Sequence, residues 1–110
     1  MDMNFKEYQK KAIKTAIYGT GNKIIYPALG LANEAGEVLG KIKKVLRDKE
    51  GNFDEESRKQ ISDEIGDVLW YMAALSNDID IDLEIIAINN LSKLEDRQKR
   101  GVIQGSGDNR

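Results

Sequence analysis

Glu34 and Glu37 form an ExxE pair, and Glu64 and Asp67 form an ExxD pair, in two segments that resemble each other at an offset of thirty residues. Leu31 aligns with Ile61, Gly36 with Gly66, Val38 with Val68 and Leu39 with Leu69, so the repeat extends beyond the acids. Acids three apart share a helix face. Four such carboxylates, if they meet, offer only hard oxygen ligands, which select Mg²⁺, or Mn²⁺ as a substitute. The chain contains no histidine and no cysteine. Thiolate or imidazole zinc sites, disulfides, cysteine nucleophiles and the usual general base are therefore excluded. A metal held by such carboxylates can acidify water, which makes a side-chain nucleophile unnecessary. The proton acceptor must then be a carboxylate, for which Glu37 is the candidate, or a hydroxide held by the metal.

Helices must position these acids. At about 100° per residue, Leu31, Ala35, Val38, Leu39, Ile42 and Val45 make one apolar stripe, flanked by Glu34, Glu37 and Lys41. Ile61, Ile65, Val68, Leu69, Met72 and Leu75 repeat it, with Glu64, Asp67 and Tyr71 on the same flank. Pro27 fits the first position of the earlier helix, which should run to about Arg47. Asp48 to Asn52 form a polar break, and Asp54 is a candidate N-cap for the later helix, reaching about Asn77. Glu34/Asp67 and Glu37/Glu64 share a midpoint at 50.5, on that break. A short connection favours antiparallel neighbours, so in a hairpin the four acids lie level across a helix spacing of about 8 to 10 Å. Gly36 and Gly66, each costly inside a helix, suit a close approach between helices. The alternative is that the acids are ordinary surface charges paired with Lys41, Lys43, Lys44 or Lys59.

Two further helices are expected, at 3–17 and at about 83–99 after a cap at Asp80 or Asp82. The apolar run Ile24, Ile25, Tyr26 has no strand partner. These elements predict an all-α fold, an antiparallel bundle of about four helices completed by oligomerisation, with residues 1–100 as one domain and 101–110 as a glycine-rich tail. The tail's glycines permit it to fold over a nucleotide or to stay without fixed structure. Ile85 and Ile88 face away from Leu83, Ala87, Leu91 and Leu94, and one of those faces stays wet in a monomer. Trp70, opposite the stripe, fits a subunit interface or a base to stack on.

The residues resemble the MazG-like all-α nucleoside triphosphate pyrophosphohydrolases, whose signature is ExxE followed after a spacer by ExxD. Here it reads Glu34-Ala35-Gly36-Glu37 and Glu64-Ile65-Gly66-Asp67 with 26 residues between. GLANEAGEV at 30–38, DEIGDVLWYMAAL at 63–75 and NLSKLEDRQKRG at 90–101 are similar to the family's surroundings. The resemblance implies cleavage between the α- and β-phosphates of a (deoxy)nucleoside triphosphate to give the monophosphate and pyrophosphate. It also implies a magnesium site of Glu34, Glu37, Glu64 and Asp67, and a homodimer or homotetramer. Asn90, Lys93 and Arg97 form one polar row suited to clamping phosphates, and Lys41 is a further phosphate-binding candidate. Phosphoribosyl-ATP pyrophosphohydrolase cleaves the same bond, so the acids alone do not separate the two.

Other classes are set aside by residues that are missing. A ferritin-like di-iron site needs histidine. Asp78, Asp80 and Asp82 imitate the start of an EF-hand, but Leu83 and Asn89 stand where its glycine and last glutamate belong. A net charge of -2 offers no basic field, so no stable nucleic-acid partner is expected. No run approaches the roughly 20 apolar residues of a membrane span, and the start MDMNFKEYQKK lacks a signal-peptide core. No membrane partner is expected, and a cytoplasmic location follows. A non-enzymatic helical interaction module remains as the rival to an enzyme.

Overall fold

The repeat that carries the acids becomes a pair of antiparallel helices of equal length. The structure, a computed structural model, describes residues 2–110. It contains α1 (Phe5–Ile13), α2 (Ile25–Asp48), α3 (Glu55–Asp78) and α4 (Leu83–Arg100), with a single 3₁₀ turn at Thr20–Asn22. The fold is all-α, and among the described residues there is no strand. α2 packs along α3, α1 crosses α3, and α4 rests on α1 and α3.

Local chemistry sets the helix ends. The Asn4 side chain accepts the Glu7 N–H at 2.8 Å and starts α1, a cap of about 1 kcal/mol. α1 stops at Ile13, earlier than the expected 17, because Thr15 bonds back to the Ala12 carbonyl through both its hydroxyl and its N–H. α2 begins at Ile25, two residues before the expected Pro27, which still lies in the first turn where its missing N–H costs nothing. The apolar run Ile24 to Tyr26 therefore enters a helix. Ile24 itself has φ 68°, a strained value for a β-branched residue. Asp78 holds it there: one carboxylate oxygen accepts the Ile24 N–H at 2.9 Å and the Tyr18 hydroxyl at 2.8 Å.

The α2–α3 turn falls where the acids' midpoint put it. Glu50 and Gly51 take left-handed φ values of 53° and 78°, and the Lys49 and Gly51 N–H groups both return to the Val45 carbonyl. Asp54 caps α3 by accepting the Ser57 N–H at 2.8 Å, and Lys49 donates to Asp54 and to the Ser57 hydroxyl. Asp82 occupies the N-cap position of α4 but makes no capping bond. The Leu83 N–H instead donates to the buried Gln9 side chain at 3.1 Å, and Gln9 donates to the Ala73 carbonyl at 3.1 Å. One amide thus ties α1, α3 and α4 together.

The core is small. Ala12, Ala73 and Leu83 form its centre, with Tyr8, Leu69 and Trp70 packed around them. Trp70 finds its partner within the chain, donating its indole N–H to the Thr15 hydroxyl at 2.7 Å. The apolar stripes are only half covered. Val45 is buried, but Leu39 is 68% exposed and Ile65 54% exposed, because α2 packs chiefly on α3. Leu91 and Ile88 of α4 are equally open at 63% and 51%.

Candidate metal centre

Glu34 on α2 and Glu64 and Asp67 on α3 converge. One carboxylate oxygen from each lies within 4.8 Å of the other two. Glu34 and Glu64 are half-buried and Asp67 is exposed, so the group opens to solvent along one side. The hairpin does this by making α2 and α3 equal in length and antiparallel, so that residues 34 and 67 fall at one height.

The electrostatics of the group are those of crowded negative charge. Partial desolvation raises the Glu34 pKa, and Asp67, then Glu64, then Glu37 raise it further through repulsion. Asp67 also reaches α1, where it adds to the burial that raises the Tyr8 hydroxyl. Tyr71, one turn beyond Asp67, is raised by burial first, then by Tyr26, Glu34 and Asp67, and so keeps its proton. The donor set suits a hard divalent cation: three oxygens with net negative charge, no nitrogen or sulfur, and repulsion that a cation relieves. Exposed acids on one face also occur without a metal, so the test of fit is the convergence of two helices rather than the count of charges.

Not all of the expected site residues fall together. Glu37 is exposed and outside the converging trio, although its charge acts on Glu34. Lys41 is half-buried one turn further along α2. Asn90 is exposed on α4, while Lys93 and Arg97 are engaged by Asp108 of the tail. Gly36 and Gly66 do not mediate the α2–α3 approach: a Cβ at either would meet nothing within 4 Å. Gly30 is the close approach, since a Cβ there would run into the ring of Tyr71. Its position four residues before Glu34 is the only trace it leaves in the sequence.

Aromatic rings border the acids. Tyr26 stacks on Tyr18 with centroids 4.9 Å apart, and Trp70 meets Tyr71 edge-on at 5.0 Å. Tyr26 and Tyr71 lie 6.3 Å apart, which makes a continuous aromatic wall. It lines an open recess of about 280 Å³ that also includes Thr15 and Asn22. The sequence signal for this wall was weak, because Tyr18 and Tyr26 lie in a loop and a first turn with no periodicity of their own.

The sequence profile of the MazG nucleotide pyrophosphohydrolase domain matches residues 27–102. This chain belongs to the MazG family. The match takes in α3, α4, all of α2 but its first two residues, and all four acids. Over 114 aligned residues the chain is also 47% identical to Gene 37 protein of Mycobacterium phage L5, with 98% of this chain and all of that one covered. No solved structure gives a significant match. Family membership makes nucleotide pyrophosphate-bond hydrolysis the chemistry to which the acidic group is to be compared, and the all-helical scaffold agrees with it. Among the described residues no helix is long and apolar enough to cross a membrane.

Proposed function

We propose that this MazG-family chain is a magnesium-dependent nucleoside triphosphate pyrophosphohydrolase, cleaving the bond between the α- and β-phosphates to release a nucleoside monophosphate and pyrophosphate. The observation that carries this reading is the convergence of Glu34, Glu64 and Asp67 from two helices to within 4.8 Å. These three would hold the cation, with Glu37 as a fourth ligand or as acceptor of the proton leaving the attacking water. When bound, the cation supplies charge neutralisation to the phosphates and lowers the pKa of water.

The chain's own groups do the rest. Glu37 is solvent-exposed and one turn from Glu34, free to take a proton from water on the open side of the group. Lys41, Asn90, Lys93 and Arg97 offer donors to the departing pyrophosphate. Tyr26 and Tyr71, tilted by 47° to each other, offer aromatic surface to the base, and the Tyr71 hydroxyl stays a donor because its pKa is raised. The chain acts as a homodimer or homotetramer, in which Leu39, Ile65 and Leu91 are covered by a second copy.

A panel of ribo- and deoxynucleoside triphosphates, with phosphoribosyl-ATP included, tests the reading by release of pyrophosphate in Mg²⁺ and in EDTA. Metal-dependent release from at least one substrate is expected. Release from none of them rejects the enzymatic assignment and leaves the helical interaction module. Sedimentation of the same preparation reads the assembly.

A further inference from the structure

The tail that follows α4 folds back onto it. The Asp108 carboxylate accepts from Lys93 Nζ at 2.8 Å and from an Arg97 guanidinium nitrogen at 3.0 Å. The Asp108 carbonyl oxygen accepts from that same Arg97 nitrogen at 2.6 Å. The Arg97 side chain is 5% exposed, whereas that of Asp108 is 77% exposed. With the tail closed, the Arg97 guanidinium is covered, while the Asp108 carboxylate that meets it stands in solvent.

The arrangement of the tail explains how the anion arrives. Gly101 ends α4 at φ 73° and Gly107 turns the chain at φ 82°, immediately before Asp108. Arg110 closes the loop by donating to the carbonyls of Val102 and Ile103 at 3.1 and 3.0 Å. These are bonds between the tail and itself. Beyond them, the tail's side-chain bonds to α4 are those of Asp108 to Lys93 and Arg97 and that of the Arg110 carbonyl to Arg100.

We propose that Lys93 and Arg97 form an oxyanion cradle for phosphate groups and that Asp108 is its displaceable resident, so that the tail competes internally with phosphorylated ligands. The proposal deepens the phosphate-binding role given to Lys93 and Arg97 above and rests on it for the ligand class. With the tail closed the covered guanidinium needs a counter-anion, and Asp108 supplies it. A carboxylate offers one charge, whereas a pyrophosphate group offers several together with more acceptor oxygens, and guanidinium favours the bidentate phosphate geometry. Tethering sets the opposing term: only residues 101–107 separate Asp108 from the end of α4, and a short flexible tether gives an effective concentration on the order of millimolar. Ligand affinity is then lowered by the fraction of molecules with the tail closed.

Calorimetric titration of the full, metal-free chain in EDTA with inorganic pyrophosphate tests this, because without metal the acidic group cannot contribute binding. Asp108→Asn should bind pyrophosphate about five-fold tighter than the natural chain, since the resident loses its charge-assisted bonds. Adding Lys93→Gln to that variant should remove the gain. In the natural chain, the amide resonances of Gly105 and Gly107 should move towards unstructured positions as pyrophosphate is added. Unchanged or weaker binding in Asp108→Asn overturns the proposal, as does pyrophosphate binding that leaves both glycine resonances in place, or no pyrophosphate binding by either chain. No turnover is measured, so an inactive substrate panel and a failed competition are separate results.

Discussion

Gly30 of α2 lies directly beneath the ring of Tyr71 of α3, one helical turn before Glu34. The absence of a side chain at residue 30 lets the two helices close at the end of the acidic group, and Tyr71 in turn borders both the acids and the aromatic wall. Gly36, six residues on in the same helix, faces open space. The two glycines should answer oppositely to alanine. Gly36→Ala gains about 1 kcal/mol of helix propensity. Gly30→Ala gains the same but overpacks against Tyr71 by about 1 to 3 kcal/mol, so it should be the less stable of the two and should weaken metal binding. Urea denaturation midpoints of the two variants give the comparison, and equal midpoints would contradict the packing described. Should Gly36→Ala instead dissociate an oligomer in sedimentation, a second copy lies against that face.

Gln9 should matter more than its place on a short helix implies. Gln9→Leu leaves the Leu83 N–H without its acceptor at the start of α4, at a cost of about 1 to 3 kcal/mol. Thermal unfolding would register this as a loss several times larger than that of Glu7→Ala on the exposed side of α1. A loss no larger than that control means that the bridge from α1 to α4 is energetically idle.

Magnesium should stabilise the chain, by about 1.4 kcal/mol at ten times its Kd. Glu64→Gln should abolish the effect in a thermal shift series with Mg²⁺, and stabilisation that survives Glu64→Gln would remove the acidic group from consideration. Without metal, the raised pKa of Glu34 has a definite sign. A carboxyl that holds its proton more tightly folded than unfolded contributes stability below about 4.5 that is lost as pH rises through the raised value. Glu34→Gln should lack that loss in EDTA.

Asp54 works in the other direction. Its bonds from the Ser57 N–H, the Ser57 hydroxyl and Lys49 hold its carboxyl down to about 2, against an ordinary 3.8. The stability this contributes is present above 3.8 and is lost as pH falls from there through about 2. Asp54→Asn keeps a capping oxygen but cannot titrate, so its acid unfolding should be shallower over that interval. Superimposable acid unfolding curves for the two chains would count against the cap.

The sequence by itself determined what lies close along the chain. The doubled ExxE and ExxD, the apolar periodicity and the break at 48–52 specified two helices, their turn and the level at which Glu34 meets Asp67, because helix geometry and hairpin symmetry are local rules. The cap at Asp54 was legible for the same reason. Tertiary structure decided everything that depends on which face a helix turns to its neighbour. It separated Glu37 from the converging trio, took the close approach away from Gly36 and Gly66 and gave it to Gly30, and placed Trp70 against α1. It also gave the start of α4 to Gln9, seventy-four residues away, and Lys93 and Arg97 to Asp108. Such partners lie across the fold, and no periodicity records them, because the energy of a contact depends on where two side chains meet in space and not on their separation in the chain.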